Sequence, residues 1–342
     1  MHPAIEQMIF RNLTPLSIRH LRPPEIARAE GLEAAVYRQL EQEFQAVPPI
    51  TMHHLDPGLM AGVWSACRET LVAGPGRAVR EAVAVAVSKS NRCPYCVEAH
   101  TSMLDGCAAR PEVPAGIVEW AAATGDQAKV SSIVPPFPRN SAPAVIGTAV
   151  IFHYINRMVN IFLDDTMMPV IGKVPLLRQP ALSLFSSLVS GRIVSLEVAP
   201  GRFLSEAPGI PLPVEFLWAE ADPAVSGGLL RFAAAAEEAG RLIDARVREV
   251  VVNTLDAWSG SGSGFGNGGV DQAVACLTER LRPQARIALL AAVASWAVDD
   301  TEVKAFFDAG RDERSLLDTA AWGSWQAARR IAGWLMPPSE LT

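Results

Sequence analysis

The segment from Glu81 to His100, EAVAVAVSKSNRCPYCVEAH, constrains this chain more than any other, because it combines a helix–turn–helix pattern with two closely spaced cysteines. A run of small apolar helix formers comes first, and the polar stretch SKSNR then favours a turn. Cys93-Pro94 favours the start of a second helix, because proline suits the first helical position, where an N–H has no partner in any case. We therefore predict that Cys93 is the N-cap of a helix that carries Cys96 in its first turn.

Offsets of three and four residues place Cys93, Cys96 and His100 along one face of that helix. Both sulfurs then lie near the positive end of the helix, which favours thiolate over thiol, and a thiolate attacks peroxides and disulfides. His100 is placed to accept a proton from Cys96, and Glu81 on the preceding helix can hold or recharge this relay. The N-cap position by itself favours Cys93 as the thiol with the lower pKa.

Three other interpretations of this segment stay open. Cys-x2-Cys with a histidine is also a pattern of zinc ligands, and Cys107 offers a fourth ligand. A thioredoxin-like motif requires a βαβ unit, which this helical segment does not predict. The simplest interpretation is a pair of buried cysteines beside a core histidine.

The spacing Glu81-x11-Cys93-x2-Cys96-x3-His100 resembles the signature of the AhpD-like alkylhydroperoxidases of the carboxymuconolactone decarboxylase superfamily. The resemblance implies an all-α fold and a thiol/disulfide cycle, with no cofactor or metal. It also implies that Cys96 attacks and that Cys93 then closes the disulfide. Tyr95 stands where the best-known members have a second histidine. The implied partners are a small hydroperoxide, an external dithiol reductant (a lipoyl- or thioredoxin-like protein) and further copies of the chain in a homo-oligomer.

The rest of the chain also favours helices, and no run of alternating apolar and polar residues predicts a strand. Proline, glycine and aspartate mark the helix ends. The predicted fold class is therefore all-α, with helices at residues 24–44, 57–71, 77–89, 93–105, 115–123 and 144–163.

The chain repeats itself at a slowly drifting offset, which is typical of duplicated domains. The matched segments are 55–74 with 221–240 (56 to 222, offset 166), 79–81 with 247–249 (offset 168), 115–118 with 285–288 (offset 170) and 157–163 with 329–335 (offset 172). We predict tandem AhpD-like domains at residues 1–163 and 213–342, with a connector at 164–212.

The second copy lacks the cysteine pair. Glu249 aligns with Glu81, but Ser261, Gly264 and Gly268 stand in place of the two cysteines and the histidine. The run at 259–269, SGSGSGFGNGG, predicts a flexible loop, and a lid across the active cleft is one role that such a loop could have. We expect this half to preserve an ancestral dimer interface within one chain.

A second group of candidate residues lies on the apolar helix at 144–163. His153, Asn156 and Arg157 are three and four residues apart, so they form either an internal polar network or the lining of a substrate pocket. A similar His-x2-Asn-Arg stretch occurs in the tandem relatives that this chain resembles. With Tyr95, these residues are the predicted substrate-binding group.

Composition narrows the function class. The chain has 19% charged residues and a net charge of −6, so it presents no basic field for nucleic acid or an anionic membrane. The apolar stretch at 145–163 is interrupted by polar residues, which predicts a buried helix rather than a membrane span. The N-terminus lacks the pattern of a signal peptide, and five cysteines with one close pair indicate a reducing, cytoplasmic setting. Cys276 is predicted to be a small buried residue.

The sequence as a whole predicts a thiol-dependent peroxidase or disulfide oxidoreductase. Two alternatives stay open: a non-redox enzyme of the same superfamily that acts on a small organic acid, in which His153 and Arg157 would serve, and a non-catalytic structural or stress protein.

Overall fold

The computed structural model describes residues 7, 11–12, 14–107, 113–167, 191–260 and 267–335. All regular structure in these residues is helical, and their β pairing is limited to isolated bridges between Ile18 and Leu163 and between Asp126 and Gly260. The all-α prediction is confirmed.

The α-helices follow in chain order. Those before the connector are α1 Gly31–Glu43, α2 Pro48–Thr51, α3 Pro57–Cys67, α4 Arg77–Ser90, α5 Pro94–Gly106, α6 Ile117–Ala123, α7 Gln127–Ser131 and α8 Ala142–Phe162. Those from the connector onward are α9 Gly191–Ser195, α10 Pro223–Ala239, α11 Ala245–Asp256, α12 Asn267–Val274, α13 Arg282–Val293, α14 Asp300–Asp308 and α15 Glu313–Trp334.

The helix bounds agree with the sequence prediction except in the first two helices. The second predicted helix, 57–71, is α3 followed by a π-helix at Arg68–Val72. Cys93 is the N-cap of α5 and Pro94 its first residue, as predicted. The helix predicted from residue 24 begins only at Gly31, which has a φ of +56°. This left-handed conformation suits glycine and interrupts a right-handed helix, so the residues before it form only a short 3₁₀ turn.

The two halves meet through helices that correspond in the repeat. Both α3 and α10 begin with Asp-Pro, and the carboxylates of Asp56 and Asp222 accept hydrogen bonds from backbone N–H groups in the first turn. These two helices pack against each other, and the long helices α8 and α15 do the same. Contacts between equivalent elements are what a twofold dimer interface shows, here within one chain.

Glycines allow the close approach of α3 and α10. A Cβ at Gly62 would lie 3.0 Å from the carbonyl oxygen of Arg231, and a Cβ at Gly228 would lie 2.8 Å from the carbonyl oxygen of Ser65. At the offset of 166, Gly228 is the counterpart of Gly62 and Arg231 that of Ser65. The two contacts are therefore equivalent, as twofold symmetry requires.

The packing corrects the middle of the sequence alignment. In the first half α4 packs against the long helix α8, and in the second half it is α13, not α11, that packs most extensively against α15. Helix α14 then follows α13 with Asp299 as its N-cap, as α5 follows α4 with Cys93. Pairing Glu249 with Glu81 was therefore wrong: Glu249 lies on α11 and is exposed, whereas Glu81 is fully buried. The match of 115–118 with 285–288 fails for the same reason, because 285–288 lies on α13.

The described part of the predicted connector packs onto the first half. Arg68 donates to the carbonyl oxygen of Ala199 at 2.7 Å, and the N–H of Gly201 donates to the carboxylate of Glu69 at 3.0 Å. The domain bounds at 163 and 212 stay a prediction.

By length and composition, residues 139–162 form a helix that could cross a membrane. However, 94% of the most apolar window of this helix is buried inside the protein, as in a core helix.

We expect Gly62→Ala and Gly228→Ala each to destabilise the protein by about 1–3 kcal/mol, because the added methyl group overpacks the crossing of α3 and α10. Urea denaturation measures the change. The matched control is Gly268→Ala, because nothing lies near a Cβ added at that helical position. Equal losses in all three variants would contradict the prediction.

A partly buried ion cluster also joins the halves. Arg314 of α15 pairs with Asp56 at 2.6 Å and with Asp318 at 2.7 Å. Burial raises the pKa of Asp318 to about 6, against the opposing effect of Arg314, and one oxygen of its carboxyl group has no hydrogen-bond partner. The folded state thus binds this proton more tightly than the unfolded state, so the contribution of Asp318 to stability is lost as the pH rises from about 4 to about 6.

Asp318→Asn should therefore raise the free energy of unfolding by up to about 3 kcal/mol near pH 7.5, and by much less near pH 4, because the amide cannot ionise. Urea denaturation at both pH values checks this. Asp308→Asn is the control, since that carboxylate is largely exposed. A gain that does not depend on pH would be inconsistent with the raised pKa.

Candidate active site

The centre of the site is a hydrogen bond between α4 and α5. One carboxylate oxygen of Glu81 lies 2.7 Å from Nδ1 of His100, and the other accepts a hydrogen bond from Nε of Arg77 at 2.6 Å. Glu81 is fully buried, so its charge depends on these two partners.

The charge state of Glu81 determines the tautomer of His100. Burial alone raises the pKa of Glu81, but the charges and hydrogen bonds of Arg77 and His100 together outweigh it and leave the pKa below its ordinary value. A carboxylate only accepts hydrogen bonds, so Nδ1 of His100 carries the proton and Nε2 is left to accept another. Glu81 therefore orients the imidazole, and its lowered pKa argues against the predicted role of recharging the relay.

Cys93 and Cys96 are both buried free thiols at the start of α5. Burial and then the neighbouring Cys93 raise the pKa of Cys96 well above its ordinary value. The prediction that the helix N-terminus stabilises a thiolate at both positions is thus wrong for Cys96, because the loss of solvent has the larger effect.

A cavity of about 100 Å³ lies beside the helix start. Cys96, His100 and the predicted substrate-binding residue Tyr95 reach it, whereas Cys93 does not. Burial raises the pKa of Tyr95 further, so its phenol keeps its proton. No Arg, Lys, Asp or Glu is among the described lining residues: Thr14, Ser17, Phe44, Val47, Pro48, Pro49, Ile50, Trp64, Cys67, Leu71, Val72, Tyr95, Cys96, Ala99, His100, Met103, Phe152, Ile155 and Met167.

The structure does not bring the other predicted substrate-binding residues to this cavity. His153, Asn156 and Arg157 lie on α8, are buried and do not line the cavity. Arg157 donates to the carbonyl oxygens of His153 at 2.5 Å and of Ala292 at 2.9 Å. Of the two possibilities that the sequence left open, the contacts are those of an internal polar network.

Several cavity residues were not identified from the sequence. Cys67 ends α3, and burial raises the pKa of its thiol. Its place in the apolar period of α3 marks it as a core residue, but nothing in the sequence links it to Cys96. Met167 follows α8, and the carboxylate of Glu98 accepts hydrogen bonds from its N–H and from the hydroxyl group of Thr166, each at 3.0 Å. These contacts join segments far apart in sequence, which periodicity does not reveal.

The structure also shows where Cys107 and Cys276 lie, and it bears on the hypothesis of a zinc site. Cys107 is the C-cap of α5 and is partly buried. In the described residues, no three His, Cys, Asp or Glu side chains converge in a way that could hold a metal ion. Cys276 is exposed in the turn after α12, so the prediction that it is buried was wrong.

The predicted lid is described only at its two ends. The carbonyl oxygen of Ser259 accepts a hydrogen bond from the N–H of Gln127 at 3.0 Å, but residues 261–266 lie outside the described residues.

An all-α chain with a buried dithiol beside a carboxylate–imidazole pair defines a class of helical dithiol proteins. The model of the carboxymuconolactone decarboxylase family matches residues 59–136, which include the whole motif. The chain is also 33% identical over 341 aligned residues to alkyl hydroperoxide reductase Rv2159c of Mycobacterium tuberculosis, covering 94% of this chain and 96% of the relative. No solved structure matches the chain significantly. The chain belongs to the carboxymuconolactone decarboxylase family, and the likeness to this relative spans both halves.

We expect Glu81→Gln to slow alkylation of Cys96 by iodoacetamide at neutral pH by about tenfold or more, because a neutral amide no longer favours proton uptake by His100. Mass spectrometry of the Cys96 peptide over time measures the rate. Glu249→Gln is the matched control on an exposed helix face. The same rate in wild type and Glu81→Gln would show that the Glu81–His100 pair does not act on this thiol.

Proposed function

We propose that this protein is a thiol-dependent peroxidase that reduces an alkyl hydroperoxide through a Cys93–Cys96 dithiol cycle. The observation that carries the proposal is the shared cavity: Cys96 and the Glu81-oriented His100 line one apolar space. The relative's name, alkyl hydroperoxide reductase, agrees with this chemistry. An apolar lining suits the alkyl group of such a substrate.

The cycle balances in three steps. His100 accepts the proton of the Cys96 thiol, and the thiolate attacks the terminal oxygen of the hydroperoxide. An S–O bond forms as the O–O bond breaks, and the alkoxide takes the proton from His100 and leaves as an alcohol. The thiol of Cys93 then attacks the Cys96 sulfenic acid, so that water leaves and the Cys93–Cys96 disulfide forms. An external dithiol reduces this disulfide by exchange and becomes oxidised.

The cavity supports Cys96 as the attacking thiol, in agreement with the resemblance noted from the sequence. Cys96 reaches the cavity and Cys93 does not, although the N-cap position favours Cys93 as the more acidic thiol. Access to the substrate outweighs acidity here, because a thiolate that cannot reach the peroxide oxygen cannot attack it. The raised pKa of Cys96 makes proton transfer to His100 a necessary part of the step.

The cavity disfavours the non-redox alternative. A small organic acid needs a cationic partner in a buried site, and the described lining contains no Arg or Lys. Arg157, the cation considered for that role, donates to backbone carbonyl groups away from the cavity. The non-catalytic, structural alternative predicts slow alkylation of both thiols and no effect of Cys96→Ser beyond lowered stability.

The proposal also covers the reductant of the enzyme, its cellular compartment and its oligomeric state. The reductant is a protein that carries a dithiol, of the lipoyl or thioredoxin kind. A cytoplasmic location fits the cysteines, which are all free thiols. A homo-oligomer is supported by exposed apolar side chains close together in sequence, at Ile210, Val214 and Leu217.

Stopped-flow oxidation with one equivalent of cumene hydroperoxide, followed by a thiol count, tests the cycle. Wild type should lose both motif thiols rapidly, because Cys93 closes the disulfide on Cys96. Cys93→Ser should accumulate a trappable sulfenic acid at Cys96, and Cys96→Ser should not react. Unchanged thiols in wild type would exclude the peroxidase, and a sulfenic acid trapped only in Cys96→Ser would make Cys93 the attacking residue.

A further inference from the structure

The exposure of the side chains around the cavity shows where its entrance lies. Most of the described lining residues are buried, and Cys96 is among them. Those that keep partial exposure mark the rim of the cavity, and they are Val47, Pro49, Ala99, His100 and Met167. A molecule that reaches the sulfur of Cys96 from solvent therefore passes this rim first.

One rim residue comes from the segment that follows α8. Met167 is the last residue of 163–167, LDDTM, which we call the strap. Val47 is the N-cap of α2 and Pro49 lies within it, whereas Ala99 and His100 belong to the cysteine helix α5. The strap therefore adds to the rim a side chain that no helix holds in place.

Backbone hydrogen bonds fasten the start of the strap to the segment before α1. Ile18 and Leu163 form an isolated antiparallel bridge, and the N–H of Asp164 donates to the carbonyl oxygen of Ser17 at 3.2 Å. Ser17 itself lines the cavity. This end of the strap is thus held against one wall of the cavity without the help of a side chain.

A single carboxylate fastens the other end of the strap. One oxygen of Glu98 accepts hydrogen bonds from the hydroxyl group of Thr166 and from the N–H of Met167, each at 3.0 Å. That N–H lies beyond the last residue of α8, so it needs a partner outside the helix. Hydrogen bonds to a charged acceptor are stronger than those to a neutral one. Since Glu98 lies on α5, it sets the position of Met167 relative to the helix of the cysteines.

We propose that Met167 limits the size of the hydroperoxide that reaches Cys96, and that Glu98 is a positioning residue that holds Met167 at the rim. The inference rests on the proposed function, in which Cys96 is the reacting thiol. It adds a substrate class, small uncharged hydroperoxides, and it assigns the choice among them to a residue outside the cysteine motif.

The cavity itself supports a limit on size and charge. Its volume is about 100 Å³, and its described lining contains no Arg, Lys, Asp or Glu. An apolar enclosure of this kind favours uncharged molecules, because a buried charge without a partner is costly. A larger alkyl group has to find room at the rim.

The rim residues differ in how far they can move. Ala99 is short, Val47 and Pro49 are stiff, and His100 is held by its hydrogen-bonded carboxylate and packs edge-on against a phenyl ring. Met167 is unbranched and has three rotatable bonds, so its thioether can move aside for a small group while its backbone stays fastened. Its side chain is therefore the variable part of the entrance.

Alkylation of Cys96 by reagents of two sizes, without peroxide, tests the proposal. The rate with N-cyclohexylmaleimide divided by the rate with iodoacetamide measures entry, because both reagents react with the same thiolate. Mass spectrometry of the Cys96 peptide over time gives both rates. Met167→Ala and Glu98→Ala should each raise this ratio about tenfold, since the first shortens the side chain at the rim and the second releases it.

Conservative variants separate these roles from a general loss of structure. Met167→Leu keeps the volume of the side chain, and Glu98→Gln keeps an oxygen that accepts both hydrogen bonds, so both should stay within about twofold of the wild-type ratio. Glu119→Ala, on an exposed face of α6, is the matched control for the loss of a helical carboxylate. Thr166→Val removes one of the two hydrogen bonds and serves if circular dichroism shows that Glu98→Ala is misfolded.

Each outcome decides one part of the proposal. A wild-type ratio in folded Met167→Ala would overturn the size limit. A wild-type ratio in folded Glu98→Ala, or an equal rise in Glu119→Ala, would overturn the positioning role. Alkylation needs no peroxide, so these failures are distinguishable from thiols that do not react with hydroperoxide, which would overturn the peroxidase. In the peroxidase reaction, Met167→Ala should accelerate oxidation by cumene hydroperoxide more than oxidation by tert-butyl hydroperoxide.

Discussion

The hydrogen bond between the buried carboxylate of Glu81 and the imidazole of His100 is the interaction on which the site depends. A carboxylate without solvent stays charged only where partners stabilise it, and here Arg77 and His100 supply that stabilisation from two sides. The pair joins α4 to α5 and so fixes the helix that begins with the cysteines. It also leaves one nitrogen of His100 to accept a proton. One hydrogen bond thus sets both a helix position and an acid–base role.

The site combines two opposing environments around Cys96. On one side an apolar cavity receives the substrate and excludes water, which raises the pKa of the thiol. On the other side, α8 carries a buried polar network in which Asn156 contacts Ser88 and Asn91 and does not line the cavity. A thiol that is protected until an oxidant arrives is consistent with such an arrangement.

The second half contributes structure instead of thiol chemistry. Its helices pair with their counterparts, and the close approach at Gly62 and Gly228 repeats about the pseudo-twofold axis. At both ends of the predicted repeat, the segments that sequence matching paired lie on helices that pack against each other, and α3 and α10 share an N-cap aspartate. Sequence matching failed in the middle of the repeat, where it paired α11 with α4. The spacing of apolar residues shows that one face of a helix is buried, but it does not show which neighbouring helix covers that face.

The sequence by itself determined the helical class, the start of α5 at Cys93 and the spacing of the motif, because caps, turns and periodicity are local properties. It also identified His153, Asn156 and Arg157 as a polar group in an apolar helix. Only the tertiary structure decided which way these side chains face, that Cys96 and not Cys93 reaches the cavity, and which distant segments close it. Those outcomes depend on burial and on contacts between residues far apart in the chain. Neither is encoded in the spacing of neighbouring residues.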